Sequence, residues 1–573
     1  VDASVELDWD NFFRPTQRTV NGAHAVSMTY TDDGLLDRAG QVDLSYNAQN
    51  ALLESATLTG AGAAEWTYNG FGEPSRYTVD DPSNTSSDIA AFDYSYDKLG
   101  RIEMLEETVD GQTVAWQYAY DERGRLVEVL ERDGAGAFNT IASYSYGPNG
   151  NRTGVTDIHG TLGSADIVHD AQDRLLQYGD FNYTYTAAGE LASKTDTSTG
   201  DVTVYTYDEF GNLERVELPD GRVVRYPTDP NHRRIGRVVE DTQGNVTDER
   251  YWVYKDQLNP VAELDAQGNV TARFVYASKA HVPEYMVKGG TTYRLVTDHL
   301  GSVRLVVDTT DGSVVQRMDY DVFGNVLQDT NPGFQPFGYA GGLYDPATEL
   351  VRFGARDYDP RTGRWTAKDP IGFHAGDGNL YRYVGGEPVN LVDLTGRLPQ
   401  LAAVALGGAA IGAFVGGLAA GTAYGISHMV NGTEGSWDGY GAAVAGGAVT
   451  GAVTGALSPV IAALLGAVGL GTITAGIVGG VLGGGIGGYS GYGTEVWFHD
   501  EREYDGEEAM RACRASAATG GMAGGFASII KYLMPGGFSS AAEELIVRGG
   551  YGLTGAFLTG TSHKTANRVE NAQ

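Results

Sequence analysis

Along the first 397 residues, apolar and polar positions alternate with period two, in short runs cut by turns rich in Asp and Gly. The run Tyr94-Ser95-Tyr96-Asp97-Lys98-Leu99-Gly100-Arg101-Ile102 returns as Tyr118-Ala119-Tyr120-Asp121-Glu122-Arg123-Gly124-Arg125-Leu126. It returns again as Tyr205-Thr206-Tyr207-Asp208-Glu209-Phe210-Gly211-Asn212-Leu213. Weaker copies start at Tyr30, Tyr46, Tyr68, Tyr144 and Tyr183, and a late one at Tyr320. Tyr-x-Tyr puts two rings on one face of a strand. Asp-x-x-Gly is a turn, in which the Asp side chain caps the backbone and Gly takes a positive φ. Arg or Asn followed by an aliphatic residue opens the next strand. The unit is strand–turn–strand, and its repetition predicts a mainly β region built by stacking hairpins. No helical period of useful length occurs before residue 397.

The pattern changes sharply after that point. Residues 398–433 carry no charge, and 439–494 form a second uncharged run of 56 residues. Apolar segments at 401–425, 441–466 and 468–488 each approach the ~20 residues that cross a bilayer as a helix. Small residues recur at helix-facing intervals, as at Gly408, Gly412 and Gly416, a spacing that lets helices approach closely in lipid. This region is predicted to be Gly/Ala-rich and mostly helical. Three readings stay open for it: a membrane-inserting toxin, a spacer ahead of a small toxin at 495–573, and a soluble helical domain.

Charge and composition divide at the same place. The net charge is −33, of which residues 1–397 carry about −28 and 398–573 about −5. Of the 82 glycines, 40 lie after 397. An acidic chain lacks the basic footprint of nucleic-acid binding, so no nucleic-acid partner is expected. Cys513 is the sole cysteine, which excludes an intrachain disulfide framework and a multi-cysteine zinc site. Histidines before 397 show no metal-ligand spacing, and no phosphate-binding loop or nucleophile elbow occurs, so neither metal nor cofactor is expected. Cys513, His499 and His563 have no spacing that supports catalysis. The chain opens on Val1 with no charged-then-apolar leader and reads as a fragment or processed product.

The repeated Tyr-x-Tyr-Asp-x-x-Gly-Arg resembles the YD repeat of the Rhs family, shared with the C component of insecticidal Tc toxins and with teneurins. Thr297-Asp298-His299-Leu300-Gly301-Ser302, Gly354-Ala355-Arg356-Asp357-Tyr358-Asp359-Pro360, Lys368-Asp369-Pro370-Ile371-Gly372 and Asn379-Leu380-Tyr381-Arg382-Tyr383 are similar to that family's associated core domain. The resemblance implies a hairpin spiral forming part of a hollow shell over 1–290. It implies a core domain at 291–397, an uncharged hydrophobic toxin region at 398–494 and the rest of the toxin at 495–573.

It also implies aspartic self-cleavage by a first Asp-Pro-x-Gly, here Asp369-Pro370-Ile371-Gly372, and a second about 20 residues on. The second is Asp393-Leu394-Thr395-Gly396, with Leu where the family has Pro. Arg356, thirteen residues before Asp369, matches the family's arginine, and the cut is placed at Arg397–Leu398. The residue types suit that chemistry. Two close carboxylates keep one proton between them, so one can activate water while the other protonates the carbonyl or leaving group. The implied partners are a target membrane, a cognate immunity protein and a secretion or delivery apparatus, with the chain secreted or delivered into a target cell. The alternative of another class is a teneurin-like adhesion shell that releases nothing.

Overall fold

A computed structural model of the chain describes residues 3–12, 14–375 and 377–397, with the main chain of 400–401. The described region is mainly β. Two antiparallel sheets of 15 and 16 strands run over Val5–Leu162 and Ile167–Asp329, each strand pairing only with its sequence neighbours. A four-stranded sheet follows over Leu343–Trp365. The last pair joins Leu391–Val392 to Gln400–Leu401. Among the described residues the only helices are three 3₁₀ turns, at Tyr339–Gly341, Gly372–Ala375 and Val384–Gly386. No described helix is long and apolar enough to cross a membrane. The candidate apolar segments after 401, and the expected helical region, lie outside the described residues.

The repeat explains the hairpins atom by atom. In the turn at 97–101, the Asp97 carboxylate accepts the N–H groups of Leu99 (2.8 Å) and Arg101 (3.0 Å), and Gly100 sits at φ +77°. The Arg101 side chain closes the turn by donating Nε to Asp97 Oδ2 at 2.7 Å. Burial pushes the Asp97 carboxyl up, but these hydrogen bonds and Arg101 outweigh it and hold it below its ordinary value. The same arrangement recurs at Asp10/Arg14, Asp121/Arg125, Asp170/Arg174 and Asp229/Arg233. Asn replaces Arg at Asn212, Asn269 and Asn325.

The two tyrosines of each Tyr-x-Tyr do different work. The first is core: Tyr94, Tyr118, Tyr144, Tyr183 and Tyr205 are all buried. The second ties one repeat to the preceding one. Tyr120 donates its hydroxyl to Ile102 O at 2.7 Å, while the Arg101 guanidinium lies 4.4 Å over its ring. Tyr146 does the same with Leu126 O and Arg125, Tyr30 with Pro15 O and Arg14, and Tyr254 with Arg234 O and Arg233. The turn arginine thus closes its own turn and stacks on the next repeat, so neighbouring hairpins share a polar staple as well as a ladder. Tyr120→Phe is expected to cost about 1–3 kcal/mol of stability in a denaturant melt, because its hydroxyl both donates to Ile102 O and accepts from Asn390 Nδ2.

Inward faces of both large sheets join one apolar cluster that reaches Val389. Buried charges also cross between them. Arg294, 1% exposed, donates to the carbonyls of Ala56, Ala61 and Gly62, and Arg304 forms a bidentate pair with Glu107 at 2.7 Å to each oxygen. The second sheet continues across 290/291, where Tyr285–Lys288 pairs with Thr291–Thr297. That position marks a change of sequence signature rather than a break in the sheet.

Candidate functional site

Arg356, Asp369 and Asp393 come from three separate segments, and the fold brings them together. Arg356 opens the third strand of the four-stranded sheet, after the tight turn Gly354–Ala355. Its guanidinium lies 4.1 Å over the Trp365 ring, on the neighbouring strand. Arg356 Nη1 donates to Leu380 O at 3.2 Å and Nε to Gly396 O at 2.5 Å. Nη2 is left for the two carboxylates, 2.8 Å from Asp369 Oδ2 and 3.2 Å from Asp393 Oδ2. The exposures of Arg356, Asp369 and Asp393 are 4, 7 and 1%.

Each aspartate is fixed by its own turn. Asp369 Oδ1 accepts Ile371 N–H at 3.0 Å, and Asp369 N–H donates to Leu380 O at 3.0 Å. Asp393 Oδ1 accepts the Arg397 N–H at 3.0 Å and the Thr395 hydroxyl at 3.1 Å. The second turn is pressed against the Gly354 turn. A Cβ on Gly354 would stand 2.4 Å from Thr395 O, and one on Gly396 2.4 Å from Phe353 O. Only glycine permits that approach at these positive φ values.

Asp393-Leu-Thr-Gly-Arg397 is chemically a repeat turn of the kind seen at 97–101. The two differ most at Asp Oδ2. In the repeat, the turn's own arginine occupies Asp Oδ2; here Arg356 from another sheet takes that place, and Arg397 is exposed. Leu394 is half-buried against the aromatic cluster of Phe353, Tyr358, Trp365 and Tyr383. The turn therefore keeps its shape without the proline, through the Asp393 bonds and the glycine contact.

Two carboxylates share one buried guanidinium, so the group carries a surplus negative charge. Burial pushes the Asp369 carboxyl up, opposed by Arg356 and reinforced by Asp393. Asp369 is therefore the carboxyl suited to hold a proton. The predicted bond Arg397–Leu398 follows directly. Leu398 and Pro399 lie outside the described residues, while Gln400 and Leu401 pair with Val392 and Leu391.

Sequence reasoning missed Trp365 and the carbonyls of Leu380 and Gly396 as partners of Arg356. It also missed Glu387 and Asn390, which dock the segment before Asp393 on the first sheet. Asn390 Oδ1 accepts Ile102 N–H at 2.8 Å, and its Nδ2 donates to Tyr120 Oη at 3.1 Å and Glu387 Oε1 at 2.9 Å. Burial pushes the Glu387 carboxyl from 4.5 to about 7. Its native form thus binds a proton that the unfolded chain has lost. That contribution is whole below pH 4.5 and fades as pH rises through about 7. Glu387→Gln should remove roughly 3 kcal/mol of pH dependence across this window, measured as unfolding free energy at pH 5 and 8. Among the described residues, no group of three His, Cys, Asp or Glu is placed to hold a metal ion. Of the histidines, His299 is bonded to Val389 O at 2.7 Å and His281 to Leu300 O at 3.0 Å.

The chain is similar to several known proteins. Mouse teneurin-4 is 27% identical over 382 residues, which are 64% of this chain and 13% of teneurin-4, so the chain spans about an eighth of that relative. The tRNA3(Ser)-specific nuclease WapA of Bacillus spizizenii is 30% identical over 281 residues, 48% of this chain and 11% of WapA. Among solved structures, the TcdB2-TccC3-Cdc42 crystal structure matches 69% of this chain and 21% of its own, with a TM-score of 0.50 at 18% identity, a likeness of fold alone. The family model for the teneurin YD-shell matches residues 1–389. With that match over most of its length, and with the tyrosine-stapled Asp-x-x-Gly hairpins that fill it, the chain belongs to the YD-shell family of Rhs-type repeats.

Proposed function

We propose that residues 1–397 are part of a toxin shell that encloses a C-terminal effector and frees it by cutting the chain at Arg397–Leu398. The observation that supports this reading is the placing of Asp369 and Asp393 on one buried Arg356 nitrogen, a few residues before the change in composition. Asp393 accepts a proton from water as the oxygen attacks the Arg397 carbonyl carbon. Asp369, protonated, hydrogen-bonds the carbonyl oxygen as charge develops there. A proton then passes to the Leu398 nitrogen as the C–N bond breaks, giving an Arg397 carboxylate and a Leu398 amine. Arg356 neutralises one carboxylate and fixes the Gly396 carbonyl beside the reacting bond. After the cut only the two-residue ladder of Gln400–Leu401 ties the described product ends, a short pairing that favours release.

The effector is proposed to insert into a membrane, on the strength of its two charge-free runs. A cognate immunity protein and a delivery apparatus are its implied partners. The likeness to WapA supports a second reading, a spacer followed by an enzyme at 495–573, with nucleic acid among its substrates. The acidity of the chain does not oppose it, because about −28 of the −33 belongs to the shell. The likeness to teneurins supports a third, an adhesion shell that is never cut.

The test is a denaturing gel and an intact-mass measurement on the full chain, followed by dye release from liposomes with residues 398–573. Fragments ending at Arg397 with leakage support the first reading. Fragments without leakage favour the enzyme, and no fragments favour the adhesion shell.

A further inference from the structure

A cleft of about 40 Å³ lies between the loop carrying Arg233 and Arg234 and the strand carrying Arg352. Leu394, of the second aspartate turn, lines it as well. Arg234 and Arg352 are each only 5% exposed. Both lean on one carboxylate, that of Asp357, which is 2% exposed. Arg234 Nη2 stands 2.8 Å from Asp357 Oδ1, and Arg352 Nη1 2.9 Å from Asp357 Oδ2.

The charges around the cleft do not balance. Arg352 Nη2 finds the neutral Asn212 Oδ1 at 3.3 Å, and the Arg234 guanidinium rests 3.6 Å over the Tyr226 ring. Arg233 is matched by Asp229 at 2.6 Å, and Arg237 is shared by Asp345 and Asp248, neither of which pairs with Arg234 or Arg352. His281, also lining the cleft, is held neutral, because burial pushes its imidazole down to about 4. Two buried guanidiniums therefore share one carboxylate, leaving one positive charge. The Nε–H groups of Arg234 and Arg352 have no acceptor among the described residues. Buried donors left unmet are costly, and an uncompensated buried charge costs more.

We propose that this cleft binds a small monovalent inorganic anion, of halide size, through the Nε–H groups of Arg234 and Arg352. The volume admits one such ion, exceeding the ~10–15 Å³ needed to hold a single water. The anion neutralises the surplus charge and satisfies both donors, and it ties the sixteen-stranded sheet to the sheet that carries Arg356. Its role is structural, and it rests on the Arg234, Arg352 and Asp357 cluster rather than on self-cleavage.

Two measurements on the full chain test it. Crystals soaked in sodium bromide are expected to show an anomalous bromine peak within hydrogen-bond reach of Arg234 and Arg352. Thermal unfolding in sodium chloride should exceed that in sodium gluconate at equal ionic strength by roughly 1–3 °C, saturating with concentration. Arg234→Met removes the surplus charge while keeping apolar contact with Tyr226, and it should abolish the halide effect. Should that variant not fold, the bromide and chloride results on the unaltered chain decide alone. A cleft without bromine, or equal melting in both salts, overturns the proposal. Bromine in the cleft with no chloride effect is an adventitious ion only, and overturns it too.

Discussion

Asp369→Asn and Asp393→Asn are each expected to leave the 60.8 kDa chain as one band on a denaturing gel, where the unaltered chain is expected to give two. Asparagine keeps the size of aspartate and an oxygen for Arg356, so the local fold should survive, and unchanged melting would verify it. What it removes is the exchangeable proton. A positioned general acid or base contributes typically 10²–10⁴ in rate, so either change should slow cleavage by about that factor. The pair acts as a unit, so the double variant should be little slower than either single one. Cleavage should also weaken as pH rises through the Asp369 ionisation, because burial has pushed that carboxyl up and its protonated form is the one required. Normal cleavage in both single variants would sink the assignment, and the Arg356–Asp369–Asp393 cluster would then be a structural ion pair.

Much of this protein is legible from its sequence because its information is local. Tyr-x-Tyr, Asp-x-x-Gly and the residue after each turn specify strand, turn and strand within nine residues, and Tyr94 through Gly100 behave as read. The hidden part is non-local. Nothing within one repeat says that the Tyr120 hydroxyl ends on Ile102 O, or that Arg101 stacks on Tyr120, since both contacts reach into the neighbouring repeat. The candidate site divides the same way. Asp369, Asp393 and Arg356 stand out by motif, yet Trp365, which backs the guanidinium, and Gly354, which admits the Asp393 turn, show themselves only once the four-stranded sheet is built. The departure at Leu394 also reads differently in three dimensions. Proline would fix φ there, but Asp393-Leu-Thr-Gly-Arg397 already holds its turn through the Asp Oδ1 bond to the N–H four residues on, as Asp97 does.

Those repeats must also be held face to face, and here a second large effect is expected. Arg304→Met should destabilise the chain by about 3–5 kcal/mol, the cost of leaving one partner of a buried pair behind. Arg304 lies on Val303–Asp308 of the second sheet and Glu107 on Ile102–Val109 of the first. Their bidentate contact joins residues far apart in the chain, with Asp319 also 2.9 Å from Arg304. Burial already pushes the Glu107 carboxyl up against the pull of Arg304. Without the arginine it should rise further, so the folded variant takes up a proton that the unfolded chain releases. The loss should therefore be greatest above neutral pH and smaller at pH 5, where Glu107 is closer to protonated. Replacing both residues, as Glu107→Leu with Arg304→Met, should recover much of the stability, because apolar packing replaces two desolvated charges. Denaturant melts of the two single variants and the double variant at pH 5 and 8 measure the coupling directly. If Arg304→Met melts like the unaltered chain at pH 8, the pair does not bind the sheets together. The joining of the two sheets would then rest on their apolar faces and on the Arg294 carbonyl contacts.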